Sequence, residues 1–436
     1  MGESVDWRGD AVVITGVGMT TPLGGDTPST WEAVAAGCSA GRWLADARGT
    51  ARPAGIGAPV AVEPLSVLDG RGLRRLDRSG QLALVAAREA WTDAGLPRPI
   101  PAFGDRLDPA ETAVVVGTAL GAVERTLAMH DELREKTTRK ASPFTIPAMI
   151  ADSAAVRIGL DLGVRGGVHT LVSACAAGAE AVAAGVALLR CGQARAVLAV
   201  GTDAALIPLV MAGFGAALAL APDSDGNPAG VSRPFDRRRR GFLLAEGAAA
   251  VVLERRSTAW ARGAVPYCEV AGVGRTSDAY DLVQPAPDGR GIAAAVRAAL
   301  DDAGTVPEAV AMVSAHATGT RRGDAAEAAA LRQVFGPFAG RIPVCAVKSG
   351  LGHMLGAAGV AQTALAALSL SRRLVPPIVN LDEPEDLGLD LVHDAPRPLD
   401  GVPGAMALSN ASGFGGHNVA LVLRAVGPDR SGRGHE

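Results

Sequence analysis

Short runs of Val, Ile and Ala recur along this chain with helical spacing between them, and that alternation limits what it can fold into. The runs are Ala11 to Val17, Ala113 to Gly117, His169 to Val172, Ala196 to Gly201 and Ala248 to Glu254. A second series follows at Val310 to Ala315, Pro343 to Val347, Ala405 to Ser409 and Asn418 to Arg424. Continuous apolar runs of this length are strands covered on both faces, and the segments between them, such as Gly323 to Phe335, read as helices. The expectation is an α/β fold in two parts: residues 1–260, residues 261–426, and a disordered tail at 427–436. The Gly-, Pro- and Arg-rich stretch from Cys38 to Leu76 has no sustained period and reads as a long surface excursion.

At 436 residues, 48% hydrophobic and 20% charged, the chain can bury a large core. A net charge of −3 gives no reason to expect a nucleic-acid partner. Five scattered cysteines, none in a C-x-x-C pair, suggest neither a disulfide framework nor a metal site and fit a reducing cytoplasm. The polar N-terminus has no signal-peptide pattern, and no apolar run is long enough to span a membrane.

Chemistry concentrates at strand ends. Leu171-Val-Ser-Ala-Cys175-Ala-Ala-Gly178 runs from a strand into an Ala-rich helical pattern, Ala177 to Leu189, among small residues that permit a sharp turn. A thiol there lies at a helix N-terminus, which favours a thiolate. A buried structural cysteine is the plainer reading. Val313-Ser-Ala-His316-Ala-Thr318-Gly-Thr320 and Val347-Lys348-Ser-Gly-Leu-Gly-His353 are two more strand exits, each carrying a histidine toward the crevice where α/β folds bind ligands. Gly413-Phe414-Gly-Gly-His417-Asn418 is either a tight turn or a loop whose N–H groups approach a ligand.

Two patterns are decoys. Gly37-Cys-Ser39-Ala-Gly41 matches the serine-hydrolase elbow but follows a helical stretch, so it reads as a helix-ending turn. Gly16-Val-Gly18 follows a strand, yet Thr21 replaces the third glycine of a dinucleotide loop.

Taken together, the four motifs resemble the elongating β-ketoacyl-ACP synthases, the condensing enzymes of fatty-acid, mycolate-type and polyketide assembly. Ser232-Arg-Pro-Phe-Asp236, Gly323-Asp-Ala-Ala-Glu327 and Val375-Pro-Pro-Ile-Val-Asn380 extend the likeness over nearly the whole chain. The resemblance implies a thiolase fold, two similar α/β halves in five αβαβα layers, and a cytoplasmic dimer. It implies an acyltransferase that loads an acyl group on Cys175 and condenses it with malonyl-ACP, releasing CO2. In that reading His316 and His353 promote decarboxylation, Lys348 supports their electrostatics, and Glu327 backs Lys348 from outside the reacting groups. The backbone N–H groups of Cys175 and Phe414 form the oxyanion hole, Phe414 gates the acyl pocket, and Thr318 and Thr320 hold the phosphopantetheine arm. No cofactor or metal is implied; the partners are acyl carrier protein and a second copy or a related chain-length factor, with no nucleic acid and no membrane.

Departures from the family pattern are informative. Arg240 replaces an Asp and makes Arg237, Arg238, Arg239 and Arg240 an unbroken basic run, either a contact for an acidic carrier protein or a solvated loop. Ala411 and Ser412 replace Ser-Phe, which would enlarge the acyl pocket, and Ala317 replaces a Gly. Gln362 replaces a Glu, which puts a monovalent cation in doubt. Rival readings are the catalytic half of a ketosynthase/chain-length-factor pair, a non-catalytic or inhibitor-tolerant homologue, and a degradative thiolase. The last would need a cysteine between Gly413 and Asn418.

Overall fold

The computed structural model describes residues 9–44, 55–69, 73, 76–101, 107–135, 142–222, 226–399 and 404–426. The tail at 427–436 lies outside them, as does part of the Cys38 to Leu76 stretch. Within that stretch Arg42–Leu44 pairs with Gly55–Gly57, Pro64–Val67 is a short helix, and Ala58 and Val60 are buried. It is therefore partly anchored rather than wholly a surface excursion.

Strands β1 (Val12–Thr20), β2 (Thr112–Gly117), β3 (Gly167–Leu171), β4 (Ala196–Asp203) and β5 (Gly247–Arg255) line up as β3-β2-β4-β5-β1. Strands β6 (Cys268–Ser277), β7 (Val310–Ser314), β8 (Pro343–Cys345), β9 (Asp390–Leu391), β10 (Met406–Gly413) and β11 (His417–Ala425) line up as β9-β8-β7-β10-β11-β6. Setting aside the edge strand β9, the two sets repeat one order and one pattern, three parallel strands and then two antiparallel ones. Among the described residues the two sets join where Val13 and Ile14 of β1 pair with Glu269 and Cys268 of β6.

Six helices complete the layers: α1 (Arg78–Asp93), α2 (Ser153–Leu162), α3 (Ala177–Arg190), α4 (Arg290–Asp302), α5 (Arg321–Phe335) and α6 (Gly356–Arg372). Helices α3 and α6 lie between the two sheets and touch strands of both; α1 and α2 cover the first sheet, and α4 and α5 flank the second. That is the five-layered αβαβα arrangement the resemblance implied. Every residue of α6 from Gly356 to Leu370 is buried, as an all-round apolar helix demands. Close approach needs small residues: a Cβ on Gly359 would sit 2.4 Å from the Ala179 nitrogen, and one on Gly178 would sit 2.3 Å from the Gly356 carbonyl oxygen.

The glycines of the apparent dinucleotide loop have a packing reason, since a Cβ on Gly16 or Gly18 would strike the Ala90 or Ala86 carbonyl of α1 at 2.2 or 2.1 Å. Gly37 ends a helix at φ +71°. Among the described residues no helix is long and apolar enough to cross a membrane.

Candidate active site

Because the two sheets share a topology, β3 and β8 are equivalent, and each feeds a central helix. The exit of β3 carries Cys175 into α3; the exit of β8 carries Lys348 and then His353 into α6. Both turns are tight. Ala174 adopts φ +50° and Leu355 φ +48°, left-handed values that cost a residue with a Cβ about 1–3 kcal/mol and are sustained only by surrounding structure. The third exit, from β7, carries His316, Thr318 and Thr320 into α5.

Cys175, His316, His353, Thr318, Thr320 and Phe414 all line one cavity of about 550 Å³. His316 and His353 stand edge to face with ring centroids 5.6 Å apart. The His353 backbone is clamped on both sides, its N–H donating to Leu243 O at 2.7 Å and its carbonyl accepting from Ala245 N at 3.0 Å. An edge-to-face chain of rings, Phe414, Phe214, Phe242 and His353, forms one wall.

Burial sets the protonation states. Desolvation first, and then the Lys348 charge, hold both imidazoles well below the ordinary His range, so both are neutral. Burial also pulls Lys348 down to about 8, against the raising influence of Glu327, Cys175 and Asp324. Its ammonium donates to His316 O at 2.6 Å and to Gln362 Oε1, and lies 3.5 Å from His316 Nδ1. An ammonium cannot accept, so Nδ1 must; the His316 proton then sits on Nε2.

Cys175 departs from the sequence expectation of a thiolate. Burial, and next the Asp203 carboxylate, push its thiol up to about 12, overcoming Lys348 and the N–H groups of Cys175 and Phe414. At rest Cys175 is therefore a thiol, and those two N–H groups face its sulfur.

Glu327 reaches Lys348 without touching its ammonium. It accepts the N–H groups of His316 and Ala317, each at 2.8 Å, and the Asn410 amide at 3.2 Å, acting on Lys348 through charge rather than by direct contact. Gln362 takes that direct contact. Thr318 and Thr320 hydroxyls meet at 3.1 Å. The basic run is also divided: Arg239 is buried at 3% exposure, ion-paired with Asp324 at 3.3 Å and with Glu385, and so cannot serve as a surface contact. Arg238 pairs with Asp382 at 2.6 Å, whereas Arg240 is exposed at the cavity mouth.

Sequence reasoning missed two carboxylates. Asp203, lifted by burial to about 6, accepts N–H groups from Ala119, Leu120 and Gly356. Asp324, lifted by burial to about 7, accepts those of Phe235 and Gly319. An Asp ending the apolar run at 203 was the available signal for the first; for the second there was none beyond Gly323-Asp324 itself.

Known proteins agree with this architecture. The β-ketoacyl synthase N-terminal domain matches residues 9–259 and the C-terminal domain residues 267–382. The chain is 36% identical over 417 residues to 3-oxoacyl-[acyl-carrier-protein] synthase 2 of Staphylococcus aureus, covering 95% of this chain and 98% of that one. Among solved structures, the ishigamide ketosynthase/chain length factor superposes with a TM-score of 0.84 at 32% identity, over 96% of this chain and all of that one. A type II polyketide ketosynthase, solved with its acyl-carrier protein and bound to the hexaketide, gives 0.84 at 28% with the same coverage. With both halves matched in order and more than a third of residues shared along almost the full length, the chain belongs to the β-ketoacyl synthase family.

Proposed function

We propose that this chain is a β-ketoacyl-ACP synthase in which Cys175 carries the acyl group and His316 and His353 drive decarboxylation of malonyl-ACP. The observation that carries the reading is the meeting of a thiol from the first half with two neutral imidazoles from the second in one cavity.

In the first step the Cys175 sulfur adds to the acyl thioester carbonyl, whose oxyanion the N–H groups of Cys175 and Phe414 stabilise. The pantetheine sulfur leaves with the thiol proton. In the second step the C–C bond to the malonyl carboxylate breaks, CO2 departs, and the electron pair becomes an enolate. Two imidazole N–H groups receive its developing charge, and as neutral rings they do not hand the carbanion a proton as imidazolium would. The enolate carbon attacks the acyl–Cys175 carbonyl, the sulfur leaves, and a proton from solvent restores the thiol. Because the carbanion comes from loss of CO2, the cycle calls for no dissociable cofactor.

That Thr318, Thr320 and Arg240 line the cavity supports assigning the arm to the two threonines and the acidic carrier to the arginine. Ser412, bonded to Asn418 at 2.9 Å, lines the cavity, and a serine there in place of a bulkier phenylalanine supports a wider acyl pocket. Edge strand β3 carries exposed Val168 and, just beyond it, Val172, which supports pairing with a second copy or a chain-length factor. The unpaired cysteines fit a cytoplasmic setting. Incubation with acyl carrier and intact-mass measurement tests the central reading: an adduct on the wild type that Cys175→Ala lacks supports it, and no adduct, or one that survives the substitution, rejects it.

A further inference from the structure

We infer that Gln362 is the positioning residue that sets the direction and charge of Lys348, and through it keeps the proton of His316 on Nε2 for decarboxylation; this rests on the function proposed above. Gln362 is the one long polar side chain in the buried stretch of α6, and it is 1% exposed. Such an amide is costly unless each donor and acceptor is used. Here they are used: Nε2 donates to Ala315 O at 2.9 Å and to Asn410 O at 3.1 Å, with Ser314 O at 3.5 Å, while Oε1 receives the Lys348 ammonium. The reverse orientation would set an NH2 against an ammonium and an oxygen against three carbonyls. The amide therefore ties the end of β7, which bears His316, to β10 and to Lys348.

The consequence for Lys348 follows from counting donors. Three N–H bonds meet Gln362 Oε1, His316 O and His316 Nδ1, so the third is committed to the imidazole only while the first two acceptors stay in place. Gln362 contributes no charge of its own. The charged and titratable groups facing the ammonium are Glu327 and Asp324 on α5, Cys175 ahead of α3, and His316 and His353. Glu327 is shared among two backbone N–H groups and Asn410. An uncharged partner thus leaves Lys348 able to lose its proton near the working pH.

The test is the pH profile of CO2 release from malonyl carrier thioester, from roughly pH 6 to 10 to span the ordinary His and Lys ranges, for wild type, Gln362→Glu and Gln362→Met. Wild type should lose rate as pH rises through about 8. Glu adds a counter-charge and should move that alkaline limb up by about one pH unit or more, with a lower plateau because its oxygen faces three carbonyls. Met removes the acceptor and should move the limb down. Both variants should still acylate Cys175 by intact mass, a step that does not use His316. A limb that stays in place in Gln362→Glu, or moves the same way in both variants, overturns the inference; a purely structural role would lower rates at every pH without shifting the limb. If Gln362→Met fails to fold, the direction of the Gln362→Glu limb decides. A wild type that neither acylates nor decarboxylates would instead reject the proposed function.

Discussion

At the scale of single residues, the site works by withholding charge. Cys175 is a thiol because burial outweighs the nearby Lys348, and both histidines are neutral because burial and the Lys348 charge act together on them. His316→Ala should therefore still take an acyl group onto Cys175, while CO2 release falls by about 100- to 1000-fold, the usual cost of one oxyanion donor; labelled malonyl carrier measures it, and unchanged release would remove the histidine from the mechanism. Lys348 gives a stability signature. Its folded pKa of about 8 lies below the ordinary lysine value, so below pH 8 the fold bears the cost of a buried ammonium, and that cost fades as pH rises toward the unfolded pKa. The stability of the wild type relative to Lys348→Met should thus rise by about 3 kcal/mol between roughly pH 8 and 10.5. Urea midpoints read it. The buried thiols titrate in the opposite sense in both proteins, so the difference between the two is the quantity to follow.

At the scale of elements, close packing of α3 against α6 holds the two halves of the site together. Gly359→Ala should destabilise by about 1–3 kcal/mol, because the new methyl meets helix backbone rather than a yielding side chain. Gly213→Ala, in the Pro208–Ala216 helix with open space around it, should instead stabilise by about 0.5–1 kcal/mol. Chemical denaturation distinguishes them. Strand periodicity made most of the fold readable: the apolar runs fall on nine strands, with ends misplaced by a few residues at most. Strand β6 escaped because Cys268-Glu-Val-Ala-Gly-Val-Gly-Arg275 mixes charge and glycine on a half-covered face. Strand β9 escaped because two residues carry no period. The cysteine and histidine exits were legible because small residues follow strands there. Glu327 was read by motif, yet its true contacts, like those of Gln362 and Arg239, depend on which loops the fold brings together, and no local pattern contains that.

At the scale of the whole molecule, one repeated sheet topology brings two equivalent strand exits to one cavity, one carrying Cys175 and the other His353, with His316 arriving from the neighbouring exit of β7. The free edge of β3 is the natural place for a partner: light scattering should show a dimer, and Val172→Glu, an exposed position, should weaken it without unfolding the chain. Most directly, a crystal structure of the acylated enzyme with a non-hydrolysable malonyl-pantetheine analogue would test whether both halves act on one carbon. The expected result is an acyl group on Cys175 Sγ, its oxygen about 3 Å from the N–H groups of Cys175 and Phe414, and the analogue's thioester oxygen between His316 and His353. An acyl group on another residue, or an analogue bound away from both imidazoles, would contradict it.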